Sequence, residues 1–446
     1  MKFQSCEKDS PKAWFIFLMV CLNGSIISTF MHQYNQIYIH FMDYFDFSSA
    51  QAQFIPSVNM GLRLMISPMI IQTIKKLGFR NANFLGSLMV SISTCLSFFC
   101  QSYFSFLITL GIIPKNSPYR ISQFLASCSV LSLSLIFFSN TFVIKDIFER
   151  HERKGFGIYY SFFSIVNMAM VYIMNWMIET YSIRGTFLIF SGFLIQGAFC
   201  SFFYTENTFP RTDRTKETLK LRALEYKVAS SQRETIIFYI GMFFSCLSAS
   251  TGEILVMDNA AEYGYSKNQI LLLPTLEDIF GIAIRIGAGV MFDTSCLKPY
   301  NFIVYALFVF IYSSSHLMNN LAGYGYTYLV LAMFLRGIGN SVFIPQIAIP
   351  ACHLAVVETQ IPIIFSVTQT FRGVGIFVGN IISGKLKDMY GSYRPSLYFI
   401  WSTHLFGFTL FLLSSILHRN KSKSETKNQE KVKMLDLVAK AVKADS

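Results

Sequence analysis

Long apolar stretches separated by short polar segments are the dominant pattern of this chain. Each stretch has about 20 residues or more, the length that an α-helix needs to cross the hydrocarbon core of a bilayer. The pattern predicts an all-α membrane protein with twelve transmembrane helices. The predicted spans, numbered 1 to 12 in chain order, are 13–36, 52–73, 82–108, 121–144, 156–178, 185–204, 235–257, 269–292, 300–320, 325–350, 361–384 and 395–417.

A basic segment at 205–234 separates the spans into two sets of six. It holds seven Lys and Arg residues and little that could lie in lipid. We therefore expect two six-helix bundles joined by this linker and flanked by two polar ends. The predicted units are a segment at 1–12, bundles at 13–204 and 235–418, the linker, and a tail at 419–446. The composition of the tail predicts a solvated segment, with a short amphipathic helix on lipid as the alternative.

The positions of the basic residues predict the orientation. With the N-terminus inside, the inner segments hold 26 Lys and Arg residues and the outer loops hold 7. Positive charge is concentrated on the cytosolic side of membrane proteins. We therefore expect both termini and the linker to lie in the cytosol.

Composition excludes several functional classes. The chain has 446 residues, of which 53% are hydrophobic and 14% charged, whereas soluble proteins carry about 25% charged residues. The net charge of +12 is explained by its location beside the membrane, so the bilayer rather than nucleic acid is the expected partner. The chain has no nucleotide-binding P-loop, catalytic spacing or metal-type cysteine spacing, so we expect neither an enzyme nor an ATP-driven pump, and no cofactor or metal.

Two six-helix halves joined by a basic loop are the arrangement of the major facilitator superfamily, in which two repeats close around a midplane cavity. Segments 76–80 and 287–293 add a local sign, because they take matching positions at the inner ends of spans 2 and 8. We expect their glycines to allow close helix approach and their charges to latch neighbouring helix ends. Ordinary charges at a membrane surface would also explain each segment alone.

Four segments resemble motifs of the monocarboxylate transporter family. They are FDFSS at 45–49, the triply basic segment 147–157 that opens span 5, RGTF at 184–187, and GKLKDMYGSY at 384–393. The last is the most specific, since it matches the family's Gly-x-Leu-x-Asp-x-Tyr-Gly-x-Tyr loop. The resemblance extends over most of 11–416.

This resemblance implies a plasma-membrane transporter that moves a monocarboxylate or a related carboxylate-bearing solute by alternating access, with proton symport as the family's mode of coupling. It also implies a single-span ancillary subunit as a partner. The family's range includes lactate-like acids, ketone bodies, aromatic amino acids and iodothyronines, so the substrate stays open.

Departures from the family pattern indicate a diverged member. Of the opening signature, only the two ends remain, as Asp9 and Trp14. Small residues of span 5 are replaced by Tyr159, Ser161 and Phe162. Bulky side chains at these positions predict a wider separation of the helices.

Seven Arg, Asp and Glu residues lie within the predicted spans, and each costs about 2.5 to 3.5 kcal/mol to insert. Each therefore needs a partner or a wet cavity. Because the arginines outnumber the carboxylates by one, a cavity that they line would favour a monoanion. The alternative is that they pair and lock helices together. These residues are Arg63, Arg285, Arg336, Arg372, Glu253, Glu277 and Asp278.

Arg285 is the residue that we expect to hold the substrate carboxylate. The resemblance implies a functional arginine here, partnered by an aspartate one turn earlier, but that position is Gly281. Asp278 lies seven residues before Arg285, about 10.5 Å along the helix axis. We therefore expect no direct ion pair between Asp278 and Arg285, and weaker proton coupling than in the family.

The other candidate residues carry alternative interpretations. His32 stands where the family has a substrate-binding lysine, but a neutral hydrogen-bonding role is the alternative. Arg336 and Arg372 are further substrate-binding candidates, as is Asn167, although an amide in a span also bonds neighbouring helices. Three carboxylates are candidates for proton coupling: Asp278, Glu277 and Glu253.

Two functional hypotheses remain. The first is a secondary transporter in which two six-helix halves rock around a midplane site. The second is a membrane sensor or scaffold that has kept the fold but lost transport. Uptake distinguishes them, because a sensor binds its ligand without moving it.

Overall fold

The computed structural model describes the backbone over 7–45, 58–97, 120–204, 231–247, 251–355 and 360–444. It describes side chains over 7–29, 58–96, 129–204, 231–247, 255–355 and 360–421. The described backbone contains helices and no β-strand. The prediction of an all-α protein is therefore confirmed.

Apolar stretches form most of the helices, and polar or glycine-containing segments form many of the breaks between them. The helices are α1 Pro11–Phe45, α2 58–65, α3 Ser67–Leu77, α4 Phe79–Ser97, α5 Arg120–Ile147, α6 Glu152–Leu194, α7 Gln196–Ser201, α8 Arg233–Cys246, α9 Thr251–Glu262, α10 Lys267–Asp293, α11 Asn301–Asn319, α12 Tyr326–Phe343, α13 Ala348–Leu354, α14 Ile361–Tyr390 and α15 Arg394–Ala444. Two 3₁₀ turns, Lys298–Tyr300 and Ala322–Tyr324, precede α11 and α12.

Where the backbone is described, the twelve predicted spans fall mainly on helices, and the parts of spans 2, 3 and 7 at 52–57, 98–108 and 248–250 lie outside the described residues. By length and hydropathy, six helical segments of the described residues are able to cross a membrane. A seventh is obtained if α12 and α13, which are bent by 41°, form one broken span. Spans 5 and 6 join within α6, where the non-helical Ser182 (φ 61°, ψ 167°) marks the predicted boundary.

The backbone of the tail is helical, because α15 runs without a break from span 12 to Ala444. Lys, Glu, Leu and Ala, which favour helix, make up half of the tail at 419–446. Solvation of the tail and contact of a short amphipathic helix with lipid both stay predictions.

The two sequence halves meet where α6 packs along α10 and α3 packs on α14. Glycines make the first contact close. A Cβ on Gly157 would collide with the carbonyl oxygen of Arg285, and one on Gly289 would lie 2.7 Å from the carbonyl oxygen of Arg153. The predicted role of Gly289 in helix approach is therefore confirmed. Gly287 has open space around it instead.

Helix ends are latched across the same contact. A carboxylate oxygen of Asp293, which ends α10, accepts a hydrogen bond of 3.1 Å from the backbone N–H of Lys154 in the first turn of α6. First-turn amides have no partner within their own helix, so an acceptor from another helix stabilises them. Gly78 serves a different purpose, because its φ of 83° allows the turn between α3 and α4.

The residues that replace small ones in span 5 make close contacts. The Tyr159 side chain lies over Gly24 of α1, where an added Cβ would collide with the ring. Ser161 donates a hydrogen bond of 3.2 Å to the carbonyl oxygen of Ile282 in α10. Phe162 packs at the edge of the apolar core. A glycine on α1 thus accommodates the Tyr159 ring, and a wider separation than in the family stays a prediction.

Candidate functional site

A buried polar cluster joins α6 and α10. Arg285 and Asp278, each about 5–6% exposed, form an ion pair with 3.6 Å between Nη1 and Oδ1. The hydroxyl of Ser164 lies between them, accepting from Arg285 and donating to Asp278. Asn167 donates to the second carboxylate oxygen at 2.8 Å.

The expectation that Asp278 and Arg285 do not pair is therefore wrong. Their separation along the axis is that of two helical turns, but helical side chains lean towards the N-terminus and an arginine is long. Arg285 thus reaches back over Gly281, which has no side chain to block it. Ser164, which the sequence did not single out, completes the bridge.

Asn167 forms a hydrogen bond between helices, which is the stated alternative to substrate binding. Its amide crosses from α6 to α10 and holds the carboxylate of Asp278. The contact orients Asp278 towards Arg285. The described geometry therefore supports cross-helix hydrogen bonding by Asn167, and its contact with substrate stays a prediction.

A second buried pair lies within the C-terminal half. Arg336 of α12 donates from Nε to Glu277 of α10 at 2.7 Å, and Asn340 donates to the other carboxylate oxygen at 2.9 Å. Arg336 and Glu277 are 2% and 5% exposed. The ring of Tyr312 lies 5.5 Å from the guanidinium carbon. This geometry supports the helix-locking alternative for Arg336.

Arg63 of α2 and Arg372 of α14 form no ion pair within the described residues. Arg372 is 8% exposed and donates from Nη1 to the neutral Gln369 at 3.3 Å. The guanidinium carbon of Arg63 lies 5.5 Å from the centre of the Phe137 ring. The Nε atoms of both arginines are buried without a hydrogen-bond partner among the described residues. These are the uncompensated cations of the described interior.

Tyr160 of α6 lies among these arginines. Its side chain interacts electrostatically with Arg372, Arg63 and Arg285. The many Phe and Tyr residues of the chain leave no sequence signal that distinguishes this tyrosine from packing residues. Phe371, by contrast, stacks on the ring of Tyr239, with ring centres 5.4 Å apart.

Two candidates fall outside the described side chains. His32 lies on the described backbone of α1, and Glu253 lies on that of α9. Their proposed roles in substrate binding and proton coupling stay predictions. The FDFSS segment at 45–49 also lies almost wholly outside the described residues.

The two residues kept from the opening signature contact one motif. Asp9 accepts backbone hydrogen bonds from Glu149 and Arg150 at 3.3 and 3.2 Å and lies 3.0 Å from Nδ1 of His151. Trp14 packs against Phe148, with ring centres 4.7 Å apart. Burial disfavours the ionised form of Asp9, but the hydrogen bonds outweigh it and lower its pKa below the usual value. The retained ends thus dock the N-terminal segment onto the start of span 5.

The fold and the buried charges define a class: a multi-pass helical membrane protein whose two halves meet at a charged, partly uncompensated interior. Residues 13–380 match the Major Facilitator Superfamily. The chain belongs to the Major Facilitator Superfamily. It is therefore classed with transporters rather than with enzymes.

The similar proteins are transporters. Human Monocarboxylate transporter 12 is 20% identical over 415 residues, covering 86% of this chain and 76% of the relative. The Mus musculus protein of the same name is 20% identical over 406 residues, covering 83% and 80%. The chain is thus a diverged, monocarboxylate-transporter-like member of the superfamily.

Solved structures with the same fold are more distant in sequence. The human organic anion transporter MFSD10 (TETRAN) has a TM-score of 0.62 at 13% identity, over 90% of this chain and 100% of that one. A POT family transporter in complex with a thioalcohol-conjugated peptide has a TM-score of 0.69 at 13% identity, over 94% and 99%. At these identities the likeness shows the fold alone.

Proposed function

We propose that this protein is a secondary transporter that moves a small carboxylate-bearing organic anion across the plasma membrane by alternating access. Both termini and the linker at 205–234 face the cytosol in this proposal. A single-span ancillary subunit is a proposed partner by family resemblance.

The positive interior is the observation that carries this proposal. Asp278 compensates Arg285, and Glu277 compensates Arg336, but Arg63 and Arg372 have no carboxylate partner among the described residues. A cavity of one sign with low-dielectric walls concentrates the opposite charge. The site therefore favours an anionic solute over a neutral or cationic one.

Arg285 is the proposed contact for the carboxylate. A guanidinium offers two parallel donors that match a carboxylate, which Lys cannot reproduce. Arg285→Lys should therefore raise the half-saturation concentration for uptake while surface abundance stays near wild type. Arg336→Lys is the matched control, since this buried arginine locks helices and its loss should lower abundance instead. An unchanged half-saturation value for Arg285→Lys would place the carboxylate elsewhere.

Asp278 is the proposed proton site. The expectation of weaker proton coupling rested on a missing carboxylate near Arg285, and the ion pair at 3.6 Å removes that premise. Protonation of Asp278 would release Arg285 for the carboxylate of the substrate, so the two events are linked. Uptake should increase with external acidity, and Asp278→Asn should abolish this dependence. Retention of the full pH dependence by Asp278→Asn would exclude it.

The test of the whole proposal is uptake of labelled carboxylates in cells that lack their own carriers. Saturable uptake that requires this protein would support transport. Specific binding of a carboxylate to the purified protein without any uptake would favour the alternative, a sensor or scaffold that retains the fold.

A further inference from the structure

Arg63 and Arg372 come from opposite halves of the chain and flank a close helix contact. A Cβ on Gly373 would lie 2.5 Å from the carbonyl oxygen of Gly61, so α2 and α14 nearly touch through their backbones. Arg372 immediately precedes one of these glycines, and Arg63 follows the other by two positions. The crossing therefore holds both arginines near one another across the interface between the halves.

No carboxylate of the described residues forms an ion pair with either arginine. The two guanidinium groups repel each other electrostatically. Their described contacts are neutral: the Phe137 ring for Arg63 and the amide oxygen of Gln369 for Arg372. Two like charges in a low-dielectric interior are unfavourable unless an anion or water lies between them. Their buried Nε atoms have no hydrogen-bond partner among the residues that the structure describes, so these donors are available to such an anion.

Tyr160 connects the pair of Arg63 and Arg372 to Arg285. The side chain of Tyr160 interacts electrostatically with all three arginines, so Arg285 and its Asp278 partner lie in the same region of the described interior. One carboxylate at Arg285 would exchange with Asp278 and leave the repulsion between Arg63 and Arg372 as it was. A monoanion therefore satisfies only part of the described positive charge.

We propose that Arg63 and Arg372 form an anion subsite for a second acidic group, which makes the preferred substrate a small dianion such as a dicarboxylate. The second group accepts hydrogen bonds from both guanidinium groups, with the Tyr160 hydroxyl between the two ends of the substrate. This inference rests on the proposed transport of a carboxylate-bearing anion, and it narrows that class.

The experiment compares two labelled solutes of equal carbon number, succinate and butyrate, in cells that lack their own carriers. Uptake is normalised to surface protein and measured at an external pH above 6.5, where succinate is a dianion. The wild type should have a half-saturation concentration for succinate about tenfold or more below that for butyrate, as expected for one added charge-assisted contact.

Substitution of either arginine should abolish this preference. Arg63→Gln and Arg372→Gln should each bring the ratio of the two half-saturation concentrations close to one. Arg80→Gln is the matched control, because Arg80 also lies over a ring, that of Phe202 at 5.3 Å, but belongs to α4. It should leave the ratio unchanged. If a glutamine variant does not reach the surface, the lysine variants are measured instead. Lysine keeps the charge but loses the parallel N–H donors of the guanidinium, so the ratio should lie between one and the wild-type value.

Failure of this inference is distinct from failure of the proposed function. Saturable butyrate uptake with no preference for succinate, or a preference that both glutamine variants retain, would overturn the dianion subsite and leave carboxylate transport intact. Equal thermal stabilisation of the purified protein by chloride and by succinate would also overturn it, since the subsite would then hold an inorganic counter-ion. Uptake of neither solute, together with uptake of organic cations, would overturn both.

Discussion

Replacement of Arg336 by methionine tests whether the Glu277–Arg336 pair locks α10 to α12. The substitution keeps a long apolar stem but removes the guanidinium. It leaves Glu277, which is 5% exposed, with its charge in a dry interior, although Asn340 still donates to it at 2.9 Å. Breaking a buried pair on one side costs about 3 to 5 kcal/mol, because the remaining charge loses its compensation.

This cost should be visible in thermal unfolding. At about 2 °C per kcal/mol for a large domain, Arg336→Met should lower the melting temperature by roughly 6 to 10 °C. The double variant Arg336→Met with Glu277→Gln removes both charges, so it should recover most of the loss. A coupling energy of about 0.5 to 3 kcal/mol between the two positions would identify a direct interaction.

The assay combines melting of the purified protein with surface abundance and uptake. A locking pair predicts low abundance and low melting temperature for the single variant, with an unchanged half-saturation concentration for the molecules that reach the surface. Wild-type stability together with a raised half-saturation concentration would refute this reasoning. Arg336 would then be a substrate contact, as one sequence-based interpretation proposed.

Three further predictions concern helix contacts and topology. Gly157→Ala should reduce thermal stability and uptake because the added methyl collides with α10, whereas Gly287→Ala, with open space around it, should change neither; equal effects would contradict the close contact. Because the pKa of Asp9 is lowered, its carboxylate stabilises the folded state fully above about pH 3.8, and this stabilisation is lost as the pH falls through the lower pKa of the folded protein. The difference in melting temperature between wild type and Asp9→Asn should therefore vanish only in strong acid. A cysteine introduced in the linker at 205–234 should resist an impermeant thiol reagent in intact cells, and labelling there would reverse the topology.

The spans were predictable because the bilayer imposes a simple rule. A helix that crosses lipid needs a continuous apolar stretch, so the breaks in hydropathy mark the breaks in structure. The boundary at Ser182 lies between the predicted ends of spans 5 and 6. The division into two bundles also follows from the linker's charge, and it stays a prediction.

Side-chain partners were not predictable from local spacing. The helical rise gives only the axial separation of the Asp278 and Arg285 backbones, because it ignores the direction and reach of an arginine side chain. Ser164 and Asn167 complete the cluster from positions 114 and 111 residues before Asp278. Contacts of that range depend on how α6 packs against α10, and single-chain periodicity does not encode it.

The contacts of the N-terminal segment explain which residues of the opening signature are kept. Only Asp9 and Trp14 remain of this signature. Both contact the segment that opens span 5: Asp9 through backbone amides and His151, and Trp14 through Phe148. The retained pair therefore docks the N-terminal segment onto the start of span 5.

The placement of the charges links substrate binding to movement of the halves. Arg336 and Glu277 pair within the C-terminal half, so this pair does not oppose rocking. Arg63 and Arg372 come from opposite halves, and they repel each other when the subsite holds no anion. An anion between them replaces this repulsion with attraction across the contact of α2 with α14, which joins the two halves. Because a ligand shifts a conformational equilibrium only by its difference in affinity for the two states, a subsite divided between the halves makes that difference large.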